Sequence, residues 1–145
     1  MPLHVVLDTN VLDSALRSNR GASFEVVRQI GQGAPEVHLS VPLALEYEAV
    51  LLRRREALGL SAEEVAGFVD YVCSVAHPHD IHYLWRPLLR DPGDEMVAEL
   101  AVTAGADHVV THNVRDFGPL AERFGVAVTT PGAFLRLLRE RPPSP

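Results

Sequence analysis

Val5-Val6-Leu7-Asp8-Thr9-Asn10 stands near the start of the chain, an apolar, β-branched run that stops on an acid and two small polar residues. Such a run reads as a buried strand. In an open parallel sheet, residues just past the carboxyl end of a strand face the crevice where ligands bind. Asp8 is therefore either a functional carboxylate or the N-cap of a helix beginning near Val11. The six residues alone do not choose between these roles.

Outward from this stretch, strands and helices alternate. Val11 to Leu16 reads as a short helix, and Phe24, Val26, Val27 and Ile30 as a second, ended by Gly31 and Gly33. Gly31-Gln-Gly33 follows a helix and lacks a third glycine, which excludes a dinucleotide fingerprint. Val37 to Val41 is expected to alternate as a strand, with Pro42 in the first turn of the next helix. There Leu43, Tyr47, Val50 and Leu51 form a buried stripe, Glu46 lies on its edge and Glu48 points away. A carboxylate beside a packed face needs a partner, either an arginine or a functional ion. Arg53-Arg54-Arg55 closes that helix, as a solvated end or as an RNA-phosphate contact.

Ser61-Ala62-Glu63-Glu64 is a capping box for a helix running to about Cys73. The single cysteine excludes a disulfide or Cys-rich metal site, and its apolar neighbours suggest a buried core thiol. His77-Pro-His-Asp-Ile-His82 puts three histidines in six residues, which could suggest zinc, but Pro78 breaks the regular spacing and no second ligand cluster exists, so a polar surface loop is expected. Asp91-Pro92-Gly93-Asp94 starts another helix, with Asp91 as N-cap and Asp94 on the face shared by Val97, Ala98 and Ala101. His108 to Thr111 is a strand ending near Asn113 and Asp116; Phe117 begins a helix, Val126 to Thr129 is the last strand, and Pro131 opens the last helix. This alternation implies a three-layer α/β fold with a central parallel sheet flanked by helices. One domain over residues 1–140 is expected, with 141–145 as a short frayed tail.

Composition narrows the chemistry. All thirteen basic residues are arginine, which excludes P-loop and Schiff-base chemistry and aspartyl-phosphate enzymes that require a lysine. The net charge of −6 is the wrong sign for simple adhesion to nucleic acid unless carboxylates converge on cations. No apolar run approaches the ~20 residues of a membrane span, and no leader pattern precedes the first strand, so a cytoplasmic protein is expected.

Val-Leu-Asp8-Thr-Asn10, Leu45-Glu46-Tyr47, Asp91-Pro-Gly-Asp94 before Ala98 and Ala101, and Gly105 through Thr111, Asn113 and Asp116-Phe117 occur in this order. With these pieces the chain resembles PIN-domain nucleases over essentially its full length. It looks closest to the subgroup of toxins from toxin–antitoxin pairs. The resemblance implies a Rossmann-like PIN fold and an acidic quartet of Asp8, Glu46, Asp94 and Asp116 that binds metal and catalyses, with Asn10, Thr111 and Asn113 around it. Many relatives carry an aspartate at the position of Asn113; here the acid comes at Asp116, a spacing that other relatives share.

Crowded carboxylates raise one another's pKa unless cations neutralise them, and hard oxygen donors select Mg²⁺ or Mn²⁺. Two such ions about 3.5–4 Å apart would suit phosphodiester hydrolysis. The expected activity is thus an Mg²⁺- or Mn²⁺-dependent endoribonuclease. Arg17, Arg20, Arg53 to Arg55 and Arg115 are candidate RNA contacts. A cognate antitoxin and a homodimer are the expected partners. The alternative is a catalytically weak module that binds RNA or protein. A phosphatase with Asp8 as nucleophile fits worse, lacking an acid at Asn10 and any lysine.

Overall fold

Both faces of the strand His4–Leu7 (β1) are covered: Val5, Val6 and Leu7 have no exposed surface. That is why the sequence shows a continuous apolar run, as strands inside parallel sheets do. The structure, a computed structural model, describes residues 2–32, 35–81 and 88–140. Gly33, His82 and the 141–145 tail lie outside the described residues.

β1 is the middle of five parallel strands, the others being β2 (Glu36–Ser40), β3 (His77–His79), β4 (His108–Val110) and β5 (Ala127–Thr129), in the order β3-β2-β1-β4-β5. The chain builds outward from β1 on one side, then returns to its other side at β4. A topological switch point therefore lies between β1 and β4, the place where open α/β sheets form a ligand crevice. The helices are α1 (Thr9–Arg17), α2 (Ala22–Ile30), α3 (Val41–Arg53), α4 (Arg55–Leu58), α5 (Ala62–Val75), α6 (Pro92–Ala104), α7 (Gly118–Phe124) and α8 (Pro131–Glu140). They flank the sheet in a three-layer α/β arrangement; α2 packs on α1 and α8, while α3 packs on α5 and α6.

The main helix starts follow the sequence signals. Ser61 and Glu64 make the capping box of α5. Asp91 caps α6 with Pro92 at its start, and Gly105 closes it at φ 63°, a conformation open to glycine without steric cost. Val97, Ala98 and Ala101 are buried as expected.

Five local expectations change. Residues 37–40 of β2 are all buried rather than alternating: Val37 and Leu39 join the core, the rings of His4, His77 and His79 enclose His38, and Ser40 caps α3; Val41 already belongs to α3 and is 68% exposed. The arginine triplet straddles a break, with α3 ending at Arg53 and α4 adding one turn from Arg55. The expected loop at His77 contains β3, where Pro78 is tolerated because β3 is an edge strand. Cys73 is exposed rather than buried: Val65, Val69 and Val72 take the inward side of α5, and Cys73 falls beside it. Its thiol borders a cavity of about 210 Å³ with Leu39, Val41, Ala44 and Pro78. Partial burial, with Asp70 and Glu48 nearby, pushes the thiol's pKa up, so it is no activated nucleophile. The expected helix from Phe117 is preceded by a 3-10 turn, Val114–Phe117.

Candidate active site

Asp8 follows the last residue of β1 and turns the chain into α1. Its Oδ1 accepts the Thr9 amide at 2.8 Å, so the capping role is real. Its Oδ2 accepts the Thr111 hydroxyl at 2.7 Å and the Asn10 side-chain amide at 3.2 Å. Thr111 follows β4, so this contact closes the switch point between the two strands. Asn10 also accepts the His112 amide through Oδ1 at 3.2 Å, and the Asn113 amide donates to Thr111 Oγ1 at 3.0 Å. Asn10 and Thr111 thus hold Asp8 directly, whereas Asn113 steadies Thr111 through its backbone. The carboxylate offers about four lone-pair sites and these donors leave one of them, on Oδ1, free, so capping leaves Asp8 able to face a cation.

Tyr47 anchors α3 to this end of the sheet: its fully buried hydroxyl donates to the Leu7 carbonyl. One residue earlier, half-buried Glu46 faces a cavity of about 250 Å³ with Asp8, Asn10, Asp13, Arg54, Asp91, Gly93, Asp94 and Asn113. Gly93 makes the approach feasible. A Cβ there would lie 3.0 Å from Asp91 Oδ1 and 3.4 Å from Glu46 Oε1. Asp91 Oδ1 accepts the amides of Gly93 at 2.7 Å and Asp94 at 3.1 Å, which presents Asp94 on the first turn of α6.

Asp116, exposed in the 3-10 turn, borders a neighbouring cavity of about 450 Å³ with Arg90, Asp91, Asp94 and Arg115. Asp91 and Asp94 line both cavities. The structure therefore gathers Asp8, Glu46 and Asp94 around one hollow and sets Asp116 beyond Asp94, close enough for its charge to act on both Asp8 and Asp94. Arg115 borders the larger hollow; Arg54 borders the smaller one, paired with Asp13 at 2.6 Å. Arg17, Arg20, Arg53 and Arg55 line neither. Asp91 and Arg90 escaped the sequence reading as site residues; Asp91's capping position was visible, but its proximity to Asp8 was not.

The electrostatics record an excess of negative charge. Burial, then Asp8, Asp91 and Asp116, push the Asp94 carboxyl up to about 7. Burial raises Asp8 as well, offset in part by the Thr111 and Thr9 hydrogen bonds and reinforced by Asp91 and Asp116. Among the described residues, no three His, Cys, Asp or Glu side chains stand gathered as a preformed cage. Mutually repelling carboxylates without a counter-ion are expected to stand apart. The donors fit a hard divalent cation: they are oxygens, glycine clears their approach, and their charge is uncompensated.

A parallel α/β sheet with acids gathered at its switch point forms a ligand crevice whose oxygen donors suit a hard cation. The family model described as "PIN domain" matches residues 4–115, and the chain belongs to the PIN-domain family. PIN domains are generally metal-dependent nucleases using divalent ions, and the chain has their nuclease-like fold. The match spans Asp8, Glu46 and Asp94 and ends one residue before Asp116. No curated protein matches the chain. Among the described residues, no helix is long and apolar enough to cross a membrane.

Proposed function

We propose that the chain is an Mg²⁺- or Mn²⁺-dependent endoribonuclease acting on single-stranded or looped RNA. The observation carrying this reading is the convergence of Asp8, Glu46, Asp91 and Asp94 on one hollow at the switch point. Asp8, Glu46 and Asp94 would hold the cation, with Asp116 beside them. When bound, the ion would supply a polarised water and charge stabilisation at the phosphate. The chain's own contribution is orientation: Thr111 and Asn10 fix the Asp8 carboxylate, and the Asp91 cap fixes the start of α6 beneath Asp94. Arg115 and Arg90 border the hollow beyond Asp94, where they can neutralise flanking RNA phosphates. The kinship proposed with toxin–antitoxin toxins adds an antitoxin that would block this groove, and a homodimer as the working form.

The test is cleavage of structured and unstructured RNA by purified protein with Mg²⁺, Mn²⁺ or chelator. Metal-dependent cutting that disappears in Asp8→Asn and Asp94→Asn supports the reading. Cutting retained by both variants sinks it, as does absence of cutting under every metal condition.

A further inference from the structure

A second cluster lies on the β3 side of the sheet, outside the acidic hollows. Residues in register on parallel strands, and residues two apart along one strand, share a face. The registers His4 with Glu36, His38 with His77 and Ser40 with His79 therefore put four of the seven histidines and Glu36 on one face. His38, 7% exposed, is central: its Nε2 lies 2.8 Å from His4 Nδ1, and its Nδ1 lies 2.7 Å from His79 Nε2. Glu36 Oε2 is 3.3 Å from His4 Nδ1 and 3.7 Å from His77 Nε2. The His77 ring stacks on His38 with centroids 5.1 Å apart.

Four donor atoms, His4 Nδ1, His38 Nε2, Glu36 Oε2 and His77 Nε2, are thus linked by separations of 2.8, 3.3 and 3.7 Å. A tetrahedral ion with zinc-like bond lengths holds its ligands about 3.3 Å apart. We propose that these four side chains form a site for a borderline divalent cation of the zinc class, with His79 as the outer partner that orients His38. The rings as placed are hydrogen-bonded to one another rather than spread around an ion. The ion replaces the proton shared between His4 and His38, their rings part by about half an ångström to reach that spacing, and His4 carries its hydrogen on Nε2. Donation from His38 Nδ1 to His79 fixes the tautomer that aims the Nε2 lone pair at the ion, as outer partners of ligating histidines do.

The chemistry differs from that of the acidic hollow. Three imidazoles and one carboxylate select zinc, cobalt or nickel over magnesium. The ligands come from three adjacent strands, so the ion would staple the three-residue edge strand β3 to β2 and β1. Nothing in this proposal depends on nuclease activity.

The experiment titrates the full chain carrying Asp8→Asn and Asp94→Asn, which weakens the acidic pocket, with Zn²⁺ by calorimetry and with Co²⁺ by visible absorption. Expected are one ion per chain, a tetrahedral Co²⁺ spectrum, no competition from excess Mg²⁺ and a Zn²⁺-dependent rise in Tm. Exposed His77→Gln, which should fold normally, should weaken binding at least tenfold; His38→Gln should do the same, and His79→Gln should weaken it about tenfold. His112→Gln is the control that should change nothing. Binding untouched by His77→Gln and His38→Gln, or an octahedral spectrum without a Tm rise, overturns the proposal.

Discussion

Thr111 donates its hydroxyl to Asp8 Oδ2 over 2.7 Å, across the boundary where the sheet reverses its winding. Both residues are buried, and the bond holds down a carboxyl pKa that burial raises. Thr111→Val fills nearly the same space without the donor. Asp8 should then titrate higher still, and the acid limb of the cleavage pH profile should move to higher pH. Removing one bond to a buried charged group should also cost about 1.5–3 kcal/mol of stability where Asp8 is ionised. An unchanged acid limb would mean that the hydroxyl does not govern Asp8.

Asp94 gives a stability prediction with a definite sign. Its carboxyl sits at about 7 when folded against an ordinary 3.8, so the folded state favours the protonated form. That contribution is complete below about pH 4 and is lost as pH rises through 7. In chelator the protein should melt lower at pH 8 than the Asp94→Asn variant, by a few degrees. One kcal/mol shifts Tm by roughly 2–4 °C in a chain of this size. Mg²⁺ or Mn²⁺ should raise wild-type Tm and reverse the order, while the variant loses cleavage. Differential scanning fluorimetry at two pH values decides it; a variant less stable in chelator at pH 8 contradicts the charge argument.

Gly93 tests the crowding directly. Alanine there would put a methyl 3.0 Å from Asp91 Oδ1 and 3.4 Å from Glu46 Oε1. The expected outcome of Gly93→Ala is a higher metal requirement for cleavage with little loss of stability, because helix propensity favours alanine by up to ~1 kcal/mol. A metal titration curve that coincides with wild type would show that the carboxylates yield without consequence.

The sequence made the frame of this site readable and left its distances hidden. Asp8, Asp91-Pro92 and the Ser61 box are local signals, in which a side chain answers amides a few residues away, and each appears where it was expected. β3 was missed because three residues containing a proline carry no local strand signal; only pairing with β2 defines them. For the same reason His4 and His38 looked unrelated to His77 and His79 until register set all four on one face. The acids were named from kinship and spacing, but Asp91's effect on Asp94, and the position of Asp116 beyond the hollow that holds Asp8, depend on how α6 meets the sheet.

Tyr47 shows how packing reaches the site. Its hydroxyl, buried against the Leu7 carbonyl, fixes α3 on β1, and therefore Glu46 relative to Asp8. Tyr47→Phe should cost about 1 kcal/mol in stability, the usual worth of one such hydrogen bond. It should also lower kcat more than it raises KM, since metal geometry rather than RNA contact is disturbed. A pure KM effect would place Tyr47 on the RNA path instead.

His38 bends the pH dependence in the opposite direction from Asp94. Burial, then the charges of His79, His4 and His77, lower its pKa from 6.5 to about 4, with Glu36 opposing. The folded state thus favours the neutral ring. Stability is complete above pH 6.5 and is lost as pH falls towards 4. In chelator, wild-type Tm should therefore fall between pH 7 and pH 5, while His38→Gln, which keeps polar atoms but no proton equilibrium, should fall less. The same comparison in His77→Gln should show a smaller change, because one of the repelling rings is gone. Parallel melting curves for wild type and His38→Gln across that interval would show that His38 is not the group coupling acid to the β2–β3 edge.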